Sequence, residues 1–267
     1  MTKMKKLAII GCGNLANIVV DAILDGMLPN YQLIGAMSRT LAKANDVANK
    51  INNSQIDYRC MGYDTTEQLL ALKPDYIVET ASPDAFKSFA IDALKNGSSI
   101  ITLSIGAFAD KAFYEEVQQT AQENNAKVYI ASGAIGGLDV MRTATMMYDS
   151  KATFTTQKGP RSLRGTEVYD HAIETEEKEV FRGSAKDAIA LLPHQVNVSV
   201  AASLATVGPE NIDVSINSIP DFVGDRHTIT IQNEEIDAVI SVYSKTPAIA
   251  GWSVVNTLRN ITSPIVF

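Results

Sequence analysis

The sequence predicts an α/β fold in which a doubly wound parallel sheet is joined to a second α+β domain built on a mostly antiparallel sheet. A glycine turn separates the first strand from the first helix, and strands then alternate with helices as far as residue 131. Beyond that point, strands rich in Thr and Val follow without regular helical crossovers. We therefore expect one domain at 1–134, with a C-terminal helix at 248–267 packing back on it, and a second domain at 135–247.

The glycine turn reads Gly11-x-Gly13-x-x-Ala16 and lies between the apolar run Leu7–Ile10 and the amphipathic run Ile18–Leu24. This context is typical of the dinucleotide-binding turn of a Rossmann domain. Glycine lets the backbone approach a pyrophosphate, and the helix N-terminus offers free N–H groups to it. The expected cofactor-binding residues here are Gly11, Gly13, Asn14 and Leu15. The alternative is a β–α turn that is merely rich in glycine.

The second strand, Gln32–Met37, ends at Ser38-Arg39-Thr40. An NAD-type site usually carries an Asp or Glu at this place for the ribose hydroxyls. A guanidinium with two hydroxyls suits a 2′-phosphate instead. We therefore expect NADP(H) to be preferred, with NAD(H) as the alternative cofactor. If Arg39 is only a solvated loop residue, the preference does not follow.

Small and polar segments follow the later strands of the first domain. Strands are predicted at 75–79, 99–103 and 127–131, and helices at 42–51, 83–96 and 112–124. The segments after these strands are 80–83, 104–107 and 132–137, and ligands of such sheets lie beyond the carboxyl ends of the strands. Ala81, Ser82, Gly106 and Ala134 are the expected cofactor contacts there. Small residues are also common in turns for conformational reasons alone.

The second half of the chain has a different pattern. A helix is predicted at 139–148, strands at 152–156, 212–216, 227–231 and 238–243, and helices at 185–192, 196–207 and 252–261. The acidic run Glu174–Glu179 is expected to be solvated surface.

Composition excludes several classes of protein. The 267 residues carry a net charge of −7, which argues against a nucleic-acid or anionic membrane surface. The two cysteines, Cys12 and Cys60, form no disulfide framework or metal motif, and we expect no bound metal. No apolar run is long enough for a signal peptide or a membrane span, so a cytoplasmic location is expected.

One longer string carries a family resemblance. Residues 132–139 read Ser-Gly-Ala-Ile-Gly-Gly-Leu-Asp. Further matching pieces lie upstream at 104–107 and downstream, in order, at 158–160, 183–188, 192–193, 197–198, 201–205 and His227. In these pieces nearly the whole chain resembles the L-aspartate dehydrogenase family. The resemblance implies a Rossmann domain plus an α+β domain, and NAD(P)-dependent oxidative deamination of L-aspartate to oxaloacetate and ammonia through iminoaspartate. It also implies a catalytic histidine, for which His227 is the matching position.

The chain departs from the family pattern at two places. Gln195 stands where the family usually has Asn, and 244–248 reads Ser-Lys-Thr-Pro-Ala before the last helix. Two alternatives therefore remain: an NADP(H)-dependent oxidoreductase acting on a different amino or oxo acid, and a catalytically silent cofactor-binding protein.

The chemistry requires a proton carrier and cations for a dicarboxylate. His227 is the expected acid–base residue, His194 the second candidate, and His171 lies in a polar loop. Candidate cations are Lys158, Arg161, Arg164 and Arg226, of which Lys158 matches a family position. Asn197 is expected to hydrogen-bond the substrate. The expected partners are a small dicarboxylic amino acid and a second copy of the chain, as a homodimer.

Overall fold

The computed structural model describes residues 4–193 and 196–267. The chain divides into two compact units, a first unit of 1–131 with 250–267 and a second unit of 132–249. None of the described helices is both long and apolar enough to cross a lipid bilayer.

The first unit contains a parallel sheet of six described strands in the order β3-β2-β1-β4-β5-β6. The strands are β1 (Lys5–Ile10), β2 (Tyr31–Met37), β3 (Met61–Tyr63), β4 (Tyr76–Glu79), β5 (Ser99–Thr102) and β6 (Val128–Ile130). The helices are α1 (Asn14–Leu24), α2 (Leu41–Asn52), α3 (Thr66–Leu70), α4 (Pro83–Lys95), α5 (Lys111–Glu123) and, from the C-terminus, α9 (Ala248–Thr262). This strand order is that of a doubly wound Rossmann sheet, which confirms the predicted fold class.

Alternation along β1 gives the sheet two apolar faces. Leu7 and Ile9 lie in one buried cluster together with side chains of α1, α2 and α9. Residues of opposite parity on a strand face the other side of the sheet, so Ala8 and Ile10, which are also buried, belong to the other face. Both faces of the sheet are therefore covered, as a parallel sheet requires.

The C-terminal helix α9 belongs to the core of the first unit. Val254 and Leu258 are buried in the same cluster as Val19 of α1. The Tyr31 hydroxyl also donates a hydrogen bond of 2.8 Å to the backbone oxygen of Leu258. At Gly251, a Cβ would lie only 2.7 Å from the Ile18 side chain, so the glycine permits the close packing of α9 on α1.

The second unit contains a mixed sheet of five described strands in the order β11-β10-β7-β9-β8. Its elements are α6 (Leu138–Met147), β7 (Lys151–Lys158), β8 (Lys178–Ser184), α7 (Ala185–Leu191), α8 (Asn197–Leu204), β9 (Asp213–Ser218), β10 (Asp225–Gln232) and β11 (Asp237–Ser244). Only the β7–β9 pair is parallel among the described strand pairs of this sheet, so the sheet is mostly antiparallel, as predicted. Helix α8 packs on β7, and α7 packs on β8 and β9.

Three details differ from the sequence-based prediction. The acidic run 174–179 is largely exposed, as expected, but strand β8, which was not predicted, begins inside it. It is an edge strand, and edge strands carry exposed charges. Strand β3 and helix α3 were not predicted because they span only three and five residues. Helix α9 ends at Thr262, whereas we expected the C-terminal helix to extend to residue 267.

Candidate active site

The carboxyl ends of β1, β2, β4 and β5 lie at one edge of the first sheet because these strands are parallel. The chain builds the sheet outward from β1 in one direction through β2 and β3, and in the other through β4, β5 and β6. The direction reverses between β1 and β4, and the turns that follow these two strands therefore flank the crevice where such sheets bind ligands.

The glycine turn lies at this crevice. Gly11 has a φ of +95°, and a Cβ at this position would lie 2.7 Å from the backbone nitrogen of Ala81. The Thr80 hydroxyl donates a hydrogen bond of 2.8 Å to the backbone oxygen of Gly11. The turns after β1 and β4 are thus in direct backbone contact, which only glycine at position 11 allows.

The start of α1 fits a dinucleotide pyrophosphate. Gly13 is exposed, and a Cβ placed on it would meet no atom within 4 Å among the described residues. Gly13 is also the N-cap of α1, and no described side chain accepts a hydrogen bond from the first turn of this helix. Asn14 is exposed and Leu15 half-buried beside it. The free N–H groups and the positive end of the helix dipole are suited to bind phosphate.

Ser38, Arg39 and Thr40 form the turn from β2 to α2. The backbone nitrogen of Thr40 donates a hydrogen bond of 3.3 Å to the Ser38 hydroxyl, and Thr40 is the N-cap of α2. Arg39 is exposed, and within the described part of the chain it forms no ion pair. A guanidinium and two hydroxyls at the end of β2 can bind a 2′-phosphate.

Glu79, which we did not single out from the sequence, ends β4 with a fully buried carboxylate. Its Oε1 accepts hydrogen bonds from the Ala81 backbone nitrogen at 2.7 Å and the Ser104 hydroxyl at 2.8 Å. Its Oε2 accepts from the Thr102 hydroxyl at 2.6 Å and the Ser104 backbone nitrogen at 3.1 Å. Burial raises the pKa of Glu79, and these hydrogen bonds oppose that rise. One carboxylate thus joins the turns after β4 and β5.

The other expected cofactor contacts have diverse environments. Ala81 is exposed beside the glycine turn. The Ser82 hydroxyl caps α4 by accepting a hydrogen bond of 3.2 Å from the Ala85 backbone nitrogen. Gly106 is buried in the short 3₁₀ helix Ile105–Ala109, and Ala134 lies half-buried in a turn of the second unit.

In the second unit, alternation places a polar cluster at one end of the buried sheet face. Strand register pairs His227 of β10 with Thr156 of β7, and Thr156 with Ile216 of β9. Two residues further along β7, Lys158 pairs with Asp225 on one side and with Ser218 on the other. These two adjacent sets of register partners contain the residues that we call the polar face: Thr156, Lys158, Ser218, Asp225 and His227.

His227 is 3% exposed and stacks on Phe154, with ring centroids 5.6 Å apart. Its Nδ1 has no hydrogen-bond partner among the described residues. Burial lowers the pKa of His227 from 6.5 to about 4; the Asp225 carboxylate opposes this shift and the Lys158 ammonium adds to it. The imidazole is therefore neutral near pH 7 and able to accept a proton.

Lys158 is a buried cation, 3% exposed, and its Nζ lies 3.5 Å from Oδ1 of Asp225. Buried ammonium groups require an anionic partner. Asp225 supplies this partner from the neighbouring strand, close to His227. The spacing Asp225-x-His227 could have indicated that the carboxylate and the imidazole lie on the same face, because residues two apart on a strand share a face.

The three arginines that we considered as cations lie elsewhere. Arg226 is on the opposite face of β10, with its guanidinium 5.5 Å from the centre of the Tyr243 ring. Arg164 donates two hydrogen bonds, of 3.0 and 2.7 Å, to Glu174. Arg161 is exposed and lines, with Arg164, a cavity of about 480 Å³ near the end of β7. Lys158 alone of these four cations lies on the buried face.

The remaining candidates are placed as follows. Asn197 is half-buried at the start of α8, the helix that packs on β7. His194 and Gln195 lie outside the described residues. His171 is exposed, with its ring in edge contact with Tyr169. The segment 244–248 joins β11 to α9 and is exposed at Lys245, Thr246 and Pro247. Across the residues described, no three His, Cys, Asp or Glu side chains are arranged to hold a metal ion.

A Rossmann sheet with this glycine turn, joined to a second unit with a buried histidine and lysine, defines an NAD(P)-dependent oxidoreductase. Residues 11–131 match the model of the NAD-binding domain of homoserine dehydrogenase, and residues 139–261 match that of the C-terminal domain of aspartate dehydrogenase. The chain is 33% identical to an L-aspartate dehydrogenase of Methanosarcina mazei and 30% identical to one of Methanococcus maripaludis, over 98% of each chain. It belongs to the L-aspartate dehydrogenase family and is an amino-acid dehydrogenase.

Solved structures agree with this assignment. The crystal structure of aspartate dehydrogenase from Thermotoga maritima matches with a TM-score of 0.76 and 27% identity, over 99% of both chains. A hyperthermophilic archaeal homoserine dehydrogenase in complex with NADPH matches with a TM-score of 0.58 at 14% identity, over 99% of this chain and 100% of that one, which shows a shared fold.

Proposed function

We propose that this enzyme oxidises L-aspartate to oxaloacetate and ammonia through iminoaspartate, with NADP(H) as the preferred cofactor. The observation that carries the proposal is that a neutral buried imidazole and a buried ammonium, those of His227 and Lys158, share one face of the sheet. The first can move a proton, and the second can bind a carboxylate. The names of the related proteins, L-aspartate dehydrogenase, supply the substrate.

When bound, the nicotinamide accepts the hydride that leaves the Cα atom of the substrate. The residues of this chain do the remaining work. His227 takes a proton from the water that adds to the imine carbon and then gives this proton to the nitrogen of the resulting carbinolamine. The C–N bond breaks to release ammonia as the C=O bond forms, and the hydroxyl proton returns to His227 and passes to solvent. The low pKa of the imidazole keeps it unprotonated and ready for this step.

Lys158 is proposed to bind a substrate carboxylate. Its ammonium is held in a site from which water is largely excluded, where a charge interaction is stronger than at the surface. Asn197 is proposed to hydrogen-bond the substrate from the start of α8. A second carboxylate on the substrate distinguishes aspartate from amino acids with neutral side chains, and a buried cation is the group that can detect it.

The cofactor preference is proposed from the end of β2. Ser38, Arg39 and Thr40 stand where an acidic residue would repel a 2′-phosphate. The exposed guanidinium can instead form charge-assisted hydrogen bonds with it.

A substrate screen tests the proposed function. The purified protein is assayed with NADP⁺ and NAD⁺ against L-aspartate, L-glutamate, L-alanine and L-serine, following the absorbance of the reduced nicotinamide. The reverse reaction is assayed with the matching 2-oxo acids and ammonia. We expect the highest kcat/KM for aspartate and oxaloacetate. Higher kcat/KM with another pair would replace aspartate by that substrate, and cofactor binding without turnover on any pair would identify a silent cofactor-binding protein.

A further inference from the structure

Unpaired buried polar atoms concentrate on the polar face of the second unit. Among the described residues, the buried side-chain atoms without a hydrogen-bond partner are Tyr58 Oη, Thr156 Oγ1, Ser218 Oγ and His227 Nδ1. Folded proteins pair nearly all such atoms, because an unpaired buried polar group destabilises the fold. Three of the four lie together, and only Tyr58 belongs to the first unit. Such clustering is the pattern expected where a ligand supplies the missing partners.

The strand register fixes the arrangement of these atoms. Thr156 stands next to His227 across the β7–β10 pair, and Ser218 stands next to Lys158 across the β7–β9 pair. Thr156 is 1% exposed and Ser218 is fully buried. Thr156 therefore lies next to the Lys158 position along β7, beside the imidazole, and Ser218 lies next to it on β9, beside the ammonium.

The chemistry of this set selects the ligand group. Two hydroxyl donors and an ammonium can all point hydrogen atoms at one anion, as in protein sites that bind carboxylates. The acidic member of the polar face, Asp225, pairs with Lys158 and lies on the side away from Ser218 in the strand order. A neutral or cationic ligand group would bind more weakly here, because it would bring no negative charge to the Lys158 ammonium and the two hydroxyl donors.

We propose that Thr156 and Ser218 are substrate-binding residues whose hydroxyls donate hydrogen bonds to a carboxylate of the dicarboxylic substrate, beside Lys158. This inference rests on the proposed function for the identity of the substrate. It adds two specificity-determining residues to the site. The hydroxyls have no hydrogen-bond partner among the described residues, and the substrate carboxylate supplies one in the complex.

This assignment predicts that stability and binding respond in opposite directions. Thr156→Val and Ser218→Ala remove a hydroxyl that bonds to no described protein atom, so the melting temperature should stay the same or rise. The same substitutions remove a charge-assisted hydrogen bond to substrate, so KM for aspartate should rise roughly ten- to hundredfold. A hydroxyl with a purely structural role would instead lower the melting temperature when removed.

The experiment compares wild type, Thr156→Val, Ser218→Ala and the double variant. Thr155→Val is the matched control, because its side chain lies on the opposite face of the same strand. KM and kcat for aspartate, the Kd of NADPH and the melting temperature are measured for each. We expect raised KM in the three site variants, an unchanged Kd of NADPH, and wild-type KM in the control. An unchanged KM in the site variants, or a lowered melting temperature, would overturn the inference while leaving the proposed function intact.

A binding assay separates the two proposals. Succinate, a dicarboxylate without an amino group, is added to each protein in the absence of cofactor, and the rise in melting temperature is recorded. We expect a rise in wild type that is lost in the double variant. If wild type fails to oxidise aspartate but shows this pattern, the proposed function is wrong and the carboxylate site stands. If succinate stabilises wild type and the double variant equally, the carboxylate site is wrong.

Discussion

Two buried polar clusters, one in each unit, differ in how their hydrogen bonds are satisfied. In the first unit, the Glu79 carboxylate is fully buried and accepts four hydrogen bonds from protein groups. In the second unit, the buried atoms Thr156 Oγ1, Ser218 Oγ and His227 Nδ1 have no partner within the described chain. A satisfied network makes a unit rigid before any ligand arrives. An unsatisfied one leaves donors and acceptors available for a ligand, at some expense in stability. The Glu79 network is thus complete without a ligand, whereas the polar face is proposed to be completed by the substrate.

The largest effect should come from the acid–base residue. His227→Asn removes the proton acceptor and should lower kcat roughly 10²- to 10⁴-fold with little change in the Kd of NADPH. Steady-state kinetics and fluorescence titration of NADPH measure the two quantities. His171→Asn is the control, since His171 is exposed and should leave kcat unchanged. A near-wild-type kcat in His227→Asn would exclude the imidazole from the proton transfer.

The next largest effect should come from disrupting the hydrogen-bond network of Glu79. In Glu79→Gln an amide NH₂ replaces one oxygen, and each oxygen now accepts from one backbone N–H and one hydroxyl. The hydroxyl can turn to accept a hydrogen bond from the amide, whereas the backbone N–H loses its acceptor. We expect the free energy of unfolding to fall by about 1–3 kcal/mol, the cost of leaving one such donor without an acceptor. Urea denaturation measures this change.

Glu116→Gln makes the same chemical change on the exposed face of α5 and should alter stability by less than about 0.5 kcal/mol. Equal stability of Glu79→Gln and wild type would show that the carboxylate network is dispensable, and the contrast between the units would then be lost.

A smaller effect concerns cofactor choice. Arg39→Ala removes the guanidinium at the end of β2 and should raise KM for NADP⁺ about ten- to hundredfold, with little change in KM for NAD⁺. Arg142→Ala, another exposed arginine, is the matched control. If KM for NADP⁺ is unchanged in Arg39→Ala, the preference for NADP(H) loses its basis and Arg39 is a solvated loop residue.

The smallest effect is a change in the titration of His227. Removing the nearby cation in Lys158→Met should raise the pKa of the imidazole from about 4, and removing the anion in Asp225→Asn should lower it. NMR titration of the imidazole protons measures both, with the His227 signal assigned from His227→Asn. Lys151→Met, at the exposed start of β7, should leave the pKa unchanged. Shifts of the opposite sign would contradict the charge arrangement on the polar face.

The same pKa has a consequence for stability. Between pH 6.5 and about 4 the unfolded chain binds a proton at this histidine and the folded chain does not. Protonation therefore favours the unfolded state, and His227 contributes a loss of stability as the pH falls through this window. His227→Asn should flatten that part of the pH–stability curve relative to His171→Asn.

The sequence predicts local features better than contacts between distant residues. The turn at Gly11 and Gly13 could be located because its signal is contained within six residues. Glu79 could not be recognised as a junction, since its partners Thr102 and Ser104 lie 23 and 25 residues away along the chain. The sequence did show that Glu79 is a charged residue at the end of an apolar strand, and this pattern could have marked it for attention.

The polar face shows the same limit. Lys158 and His227 were chosen from the family resemblance, whereas Thr156, Ser218 and Asp225 join them only through strand register, which local patterns do not fix. Strand β8 was missed because the exposed charges of an edge strand resemble those of a loop. The expected homodimer and cytoplasmic location stay predictions, because the structure of one chain tests neither of them.

The contact between Gly11 and Ala81 has a practical consequence for enzyme engineering. Contacts and hydrogen bonds join Gly11 to Thr80 and Ala81, and Ala81 to Glu79. A substitution at any of these positions therefore disturbs the others. The Ser38–Thr40 turn forms none of these bonds within the described chain. The three consecutive residues proposed to set cofactor selectivity can therefore be replaced without disturbing the hydrogen bonds around Gly11 and Glu79.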